Sequence, residues 1–104
     1  MKIELLYVPD CPHRALALDR LREALAAEGI AEHISEILVS DSRMAQSLPF
    51  AGSPTILLNG RDIAASSPSP TFGPACRLYE GGEGAPSLSS LREALRTARI
   101  LEAQ

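Results

Sequence analysis

An apolar strand gives way to a long helical pattern within the stretch Tyr7-Val8-Pro9-Asp10-Cys11-Pro12-His13-Arg14, and a cysteine stands at the junction. Residues 3–8 form a short apolar run typical of a strand, and Pro9 ends it because proline has no N–H to donate to a sheet. Proline is also favoured as the first residue of a helix, so Pro12 predicts a helix start with Cys11 at the cap position. This junction is the strongest candidate for a chemical site.

The cysteine at this junction is the candidate nucleophile. Free backbone N–H groups and the positive end of the helix dipole would face the sulfur of Cys11 and favour its thiolate. His13 and Arg14 add positive charge nearby, and Asp10 opposes it. The alternative is that Cys11 is a small, half-buried residue without chemical function. Arg14 also has two interpretations, because it could bind an anion such as a carboxylate of glutathione or only cover the helix surface.

The composition of the chain limits the classes of function. The length of 104 residues, with 45% hydrophobic and 22% charged residues, predicts one soluble globular domain spanning residues 1–104. A formal net charge of −3 and an aromatic content of 4% argue against a nucleic-acid partner. No apolar run approaches the roughly 20 residues of a membrane span and no signal-peptide pattern follows Met1, so we expect a cytoplasmic protein without a membrane partner. In that compartment, cysteines are more typical of catalysis, redox sensing or metal binding than of a structural disulfide.

The next elements predict a βαβ unit. A helix over about residues 12–28, ending at Gly29, leads to a strand over residues 31–39 that should run parallel to the first strand. Cys11 would then lie at the carboxyl edge of the parallel strands, where such folds place their sites. His33 would lie at the opposite edge as a solvated surface residue. The buried stripe of the helix is predicted to consist of Leu18, Leu21 and Leu25.

A short helix and a hairpin are expected to follow. Residues 40–48 predict a helix whose buried pair is Met44 and Leu48. Asn59-Gly60 is a strong signal for a type I′ turn, because both positions of that turn need positive φ. The turn would join antiparallel strands over residues 55–58 and 61–64.

A long loop and a last helix complete the chain. Residues 65–86 are rich in Ser, Pro and Gly, and this loop carries Cys76. Because the second hairpin strand runs back toward Cys11, the loop should emerge beside the candidate site; the alternative is that Cys76 is only a buried, space-filling residue. Ser90-Leu91-Arg92-Glu93 fits a capping box for the last helix. The apolar face of that helix is predicted to be Leu91, Leu95, Ala98 and Leu101.

The order and spacing of three motifs resemble the thioredoxin-like superfamily over nearly the whole chain: Cys11-Pro12, Gly52-Ser53-Pro54-Thr55, and the hairpin at Asn59-Gly60. The resemblance implies an α/β fold with helices on both faces of a four-stranded mixed sheet. It also implies a cis Ser53–Pro54 peptide bond facing Cys11. The later part of the sequence is similar to small bacterial thioredoxin-like proteins, some of which are grouped by name with alkylmercury lyases. Lyase activity is not implied, because that chemistry needs several thiols and a carboxylate around mercury.

The active motif departs from the dithiol members of this superfamily. They carry Cys-x-x-Cys, whereas Arg14 stands at the fourth position here. The resemblance therefore implies a monothiol motif that needs a resolving thiol from elsewhere, for which Cys76 is the candidate. We predict a thiol–disulfide redox protein without a cofactor, acting on a thiol or disulfide of a protein or a glutathione-like molecule. Pro54 would shape the substrate groove. Substrate contacts are predicted from Pro12, His13, Arg14, Ser53 and Thr55.

Two other hypotheses remain open. Thiolates of Cys11 and Cys76, with His13 nearby, could hold a soft ion such as Cu(I) or Hg(II). Zinc fits less well, since a closed structural site needs four protein ligands. Alternatively, the chain is a redox-silent module that binds a partner through the Cys11 edge and the long loop.

Overall fold

The strands and helices of the computed structural model follow one another in the predicted order. Residues 1–48, 50, 52–63 and 84–103 are described; Cys76 and most of the predicted loop lie outside them. The elements are β1 (Ile3–Tyr7), α1 (Arg14–Ala27), β2 (Ile34–Leu38), α2 (Ser42–Ser47), β3 (Thr55–Leu58), β4 (Arg61–Asp62) and α3 (Leu88–Glu102). The fold is therefore α/β, with four strands and three helices in the described residues. None of the helices in this part of the chain is long and apolar enough to cross a membrane.

The four strands form one mixed sheet in the order β2-β1-β3-β4. β1 is parallel to β2, with Tyr7 opposite Leu38, so the predicted parallel pair is confirmed. β1 is antiparallel to β3, with Leu6 opposite Thr55, and β3 is antiparallel to β4. This register places the end of β1 beside the start of β3. The segments that follow β1 and precede β3 therefore meet at the same edge of the sheet.

Two apolar clusters cover the two faces of the sheet, because alternate side chains of β1 and β3 point to opposite sides. One cluster joins the sheet to α1 and α3, and it includes Ile3, Leu5, Leu21, Ile56, Leu58, Leu91 and Leu95. The other lies on the side of α2, and it includes Leu6, Val8, Val39, Ala45, Phe50 and Leu57. All four residues of β3 are buried, as expected for a strand covered on both faces. Helices therefore pack on both faces, as predicted.

The first helix ends as predicted but begins later. α1 begins at Arg14 rather than at Pro12. Gly29 follows its end at φ 68°, a conformation that favours glycine, and the N–H of Ile30 donates to the carbonyl of Leu25 at 2.9 Å. This is the hydrogen bond of a Schellman motif. The buried residues of α1 are Ala17, Leu21, Ala24 and Leu25, and Leu18 packs half-buried against the same cluster.

The hairpin also follows its prediction. β3 has the predicted bounds, and Asn59 and Gly60 have positive φ values of 52° and 82°. β4 is described only over Arg61–Asp62, and the predicted end of that strand at residue 64 lies outside the described residues. β2 spans Ile34–Leu38, shorter than predicted. His33 precedes it and is exposed, as expected.

The cap of the last helix lies three residues before the predicted cap at Ser90, and the helix starts at Leu88. Its N-cap is Ser87, whose hydroxyl accepts the N–H of Ser90 at 3.1 Å, so the predicted capping box is wrong. Leu91, Leu95 and Ala98 are buried as predicted. Leu101 is 49% exposed, so its place in the apolar face is wrong. It lies in the last turn of α3, after Ala98, the last buried residue of the helix.

Candidate functional site

The chain leaves β1 through a tight turn that ends at Cys11. The N–H of Cys11 donates to the carbonyl of Val8 at 3.3 Å, which closes a four-residue turn. Pro9 holds the second position of this turn, where its fixed φ is favoured, and Asp10 holds the third with a φ of 59°. Aspartate tolerates this left-handed region better than most residues. The first turn therefore follows from the Pro-Asp pair.

A second turn begins at the same cysteine. The N–H of Arg14 donates to the carbonyl of Cys11 at 3.4 Å, with Pro12 and His13 between them. His13 has φ −105° and ψ 1°, close to the third position of a type I turn. Pro12 therefore opens a turn rather than the helix, and His13 is the N-cap. The prediction that Cys11 caps the helix is wrong, and the dipole argument for its thiolate is weaker than the sequence suggested.

The thiol of Cys11 lies between the apolar core and the surface. Cys11 carries a free thiol in the described part of the chain and is half-buried. It packs against the cluster on the α2 face of the sheet, which includes Val8 and Phe50. One side of the residue is therefore held by apolar contacts, while its partial exposure leaves room for a reaction partner.

The segment before β3 meets the Cys11 turns through Val8. The N–H of Val8 donates to the hydroxyl oxygen of Ser53 at 3.1 Å, while its carbonyl accepts from Cys11. The Ser53–Pro54 peptide bond is cis, which confirms that expectation. The structure thus brings Cys11 and Pro54 to one edge of the sheet, although they are distant in sequence.

The side chains on this segment are buried rather than presented to solvent. Ser53 and Thr55 are fully buried, and Pro54 is also among the buried residues. The hydroxyl of Thr55 donates to the carbonyl of Gly52. The substrate contacts of Ser53 and Thr55 stay a prediction, and in this structure both side chains lie beneath the surface.

Gly84 covers the side chain of His13, a contact that the sequence did not predict. Gly84 approaches the imidazole so closely that a Cβ atom placed on it would lie 2.3 Å from the Cγ atom of His13. Next along the chain, the carbonyls of Ala85 and Pro86 accept from Nη1 of Arg20 at 3.4 and 3.1 Å. In the sequence, Gly84 is one of several glycines in the predicted loop over residues 65–86, and that composition does not indicate this contact.

Arg14 is engaged by the protein itself. Its guanidinium lies 4.3 Å from the centre of the Tyr7 ring, and its Nη2 donates to Oε1 of Glu36 at 2.5 Å. These contacts tie the start of α1 to β1 and β2. They support the interpretation that Arg14 covers the helix surface, and an additional role in substrate binding stays a prediction. Its buried Nε has no hydrogen-bond partner among the described residues.

Other parts of the described structure bring together fewer side chains suited to catalysis or metal binding. No group of three or more His, Cys, Asp or Glu side chains that could hold a metal ion occurs among the described residues, and the soft-metal hypothesis depends on Cys76. A groove of about 980 Å³ lies between β4 and α3, away from Cys11. Among the described residues, its lining includes Arg61, Asp62, Ser90 and Glu93 but neither a cysteine nor a histidine.

Comparisons with protein-family models, with curated proteins and with solved structures found no match to this chain.

Proposed function

We propose that this chain is a thiol–disulfide redox protein with a thioredoxin-like fold, in which Cys11 is the nucleophile. The sheet order β2-β1-β3-β4 and the helices on both faces support this fold. The observation that carries the function is the double contact of Val8, which joins the turn of Cys11 to Ser53 beside Pro54. A half-buried thiol stands at this junction, where a substrate sulfur could approach it.

The proposed reaction is a thiol–disulfide exchange. The Cys11 thiolate attacks one sulfur of a substrate disulfide, so that a mixed disulfide forms and the other substrate sulfur leaves with the bonding electron pair and takes a proton. A second thiol then attacks the Cys11 sulfur and releases the reduced substrate. Cys76 is the proposed second thiol, although it lies outside the described residues. The Cys11–Cys76 disulfide that remains is reduced again by an external dithiol.

The substrate class follows from this chemistry. The proposed substrate is a disulfide in a protein or a glutathione-like molecule, and the proposed setting is the cytoplasm, where thiols are kept reduced. Pro12 and His13 follow Cys11 directly and are proposed to contact such a substrate. No cofactor is needed, because both electrons come from thiols.

Replacement of Cys11 tests the proposal. We expect the wild-type chain to accelerate the reduction of a protein disulfide by dithiothreitol, and Cys11→Ser to abolish this acceleration. The far-ultraviolet circular dichroism spectrum of the variant should be unchanged. Unchanged activity would contradict the assignment. The absence of activity in the wild-type chain, with insulin and with glutathione disulfide, would favour the redox-silent binding module instead.

A second measurement tests the resolving thiol. After mild oxidation, peptide mapping should find Cys11 linked to Cys76, and Cys76→Ser should accumulate the mixed disulfide with substrate. If Cys76 stays unlinked and Cys76→Ser turns over normally, Cys11 works as a monothiol that an external thiol resolves.

A further inference from the structure

The segment of residues 84–86 lies against the beginning of α1. Gly84 touches the His13 ring, and the carbonyls of the next two residues accept from Arg20, about two turns further along the helix. Ala85 is 1% exposed and belongs to the core cluster beneath α1 and α3. This segment is therefore fixed at both ends, and it reaches the residue that caps α1.

Arg14 ties the backbone of the first turn of α1 to the sheet, but the side chain of His13 has few restraints within the helix. His13 caps the helix without a side-chain cap hydrogen bond among the described residues, and the first turn has no acidic residue to interact with the helix dipole. A contact from outside the helix can therefore decide where the His13 ring lies. His13 is also the third residue of the turn that begins at Cys11, so a shift of His13 is transmitted to the cysteine through Pro12.

We propose that residues 84–86 form a strap that positions Cys11, with Gly84 and His13 as the positioning residues. The importance of this strap for catalysis rests on the proposed redox function. Its effect on the reactivity of the Cys11 thiol does not. Glycine is required at position 84 for space: a Cβ atom there would lie 2.3 Å from Cγ and Cδ2 and 2.5 Å from Nδ1 of His13. The imidazole would have to move away, and the turn that holds Cys11 would move with it.

The rate of alkylation of Cys11 tests the strap without any substrate. In a Cys76→Ser background, iodoacetamide reacts with Cys11 alone, and the rate is measured from pH 5 to 10. We expect Gly84→Ala to change the rate at neutral pH or the midpoint of its pH profile by at least about threefold, a change that coupling between contacting residues readily produces. His13→Ala should also change it, and Gly84→Ala should add nothing in the His13→Ala background, because the clash is then absent.

A matched control separates positioning from loss of stability. Gly29→Ala strains a residue with φ 68° at the far end of α1, with nothing within 4 Å of the new Cβ atom, and should lower the midpoint of thermal unfolding while leaving the alkylation profile unchanged. An unchanged profile in Gly84→Ala would overturn the proposal. So would an equal effect of Gly84→Ala with and without His13. Because alkylation needs no turnover, a chain that lacks redox activity can still show the strap, and the two proposals fail separately.

Discussion

Val8 and Ser53 are 45 residues apart in sequence, yet the N–H of Val8 donates to the hydroxyl oxygen of Ser53 at 3.1 Å in a buried position. The carbonyl of Val8 accepts from Cys11 on the other side. One strand-end residue therefore determines how the thiol-bearing turn sits beside Pro54. Breaking this hydrogen bond should therefore change the position of the Cys11 turn at the candidate site.

Ser53→Ala should lower the free energy of unfolding by about 1–3 kcal/mol, because it leaves the buried N–H of Val8 without its partner. Urea unfolding followed by circular dichroism measures the change. Ser35→Ala is the matched control, since Ser35 is exposed on β2 and its replacement should cost within about 0.5 kcal/mol. Equal effects of the two substitutions would contradict the importance of the hydrogen bond.

Glu28 should make the free energy of unfolding depend on pH in the acidic range. The hydrogen bond from Nε of Arg92 at 2.8 Å holds the pKa of the Glu28 carboxyl below its usual range, with Arg96 at 3.4 Å as a further positive neighbour. Because the pKa is lower in the folded chain, the stabilisation is complete above the unfolded value of about 4.3 and is lost as the pH falls through the folded value.

The matching experiment compares Glu28→Gln with the wild type between pH 7 and pH 2. The variant should be less stable at pH 7, and the difference should shrink as the pH falls below about 4.3. Glu23→Gln, an exposed position on the same helix, should follow the wild-type curve. A constant difference between Glu28→Gln and the wild type over the whole range would show that the carboxylate charge is not the cause.

Ser87 rather than Ser90 should be the cap of α3. The hydroxyl of Ser87 accepts the N–H of Ser90, so Ser87→Ala should cost about 1 kcal/mol in unfolding free energy. Ser89→Ala, at an exposed neighbouring position, should cost clearly less. Thermal unfolding of both variants decides the question, and a larger loss in Ser89→Ala would place the helix start elsewhere.

Arg14 should stabilise the start of α1 through two contacts. Arg14→Ala removes the ion pair with Glu36 and the contact with the Tyr7 ring, and we expect a loss of about 1 kcal/mol because both contacts are partly exposed. Arg22→Ala, on the exposed side of the same helix, is the control. A double-mutant cycle of Arg14 with Glu36 should show coupling that weakens in 1 M salt. If salt has no effect on it, the ion pair does not contribute.

The sequence predicted what local chemistry dictates. β3, the positive φ values at Asn59 and Gly60, and the end of α1 at Gly29 all follow from a few adjacent residues. The start of α1 was misjudged because Pro12 suits a helix start and the second position of a turn equally well. Only the hydrogen bond from Arg14 to Cys11 distinguishes them, and that bond depends on how the preceding turn leaves β1.

The candidate site was harder to predict, because its contacts join residues that are distant in the chain. A shared edge for Cys11 and Pro54 could be expected from the strand order, but the contact from Val8 to Ser53 could not. The approach of Gly84 to His13 gave no sequence signal, since a glycine needed for space looks the same as a glycine in a loose turn. Burial of Ser53 and Thr55 likewise depends on the whole packed edge.

The two prolines beside Cys11 also act before the chain folds. Pro9 and Pro12 each fix one φ angle in the second position of a turn, so the unfolded segment has fewer conformations to lose than an ordinary loop of its length. The entropy that this segment would otherwise lose on folding has in part been removed by its covalent structure. A peptide of residues 7–14 should consequently visit the bent shape around the thiol even in the absence of the sheet.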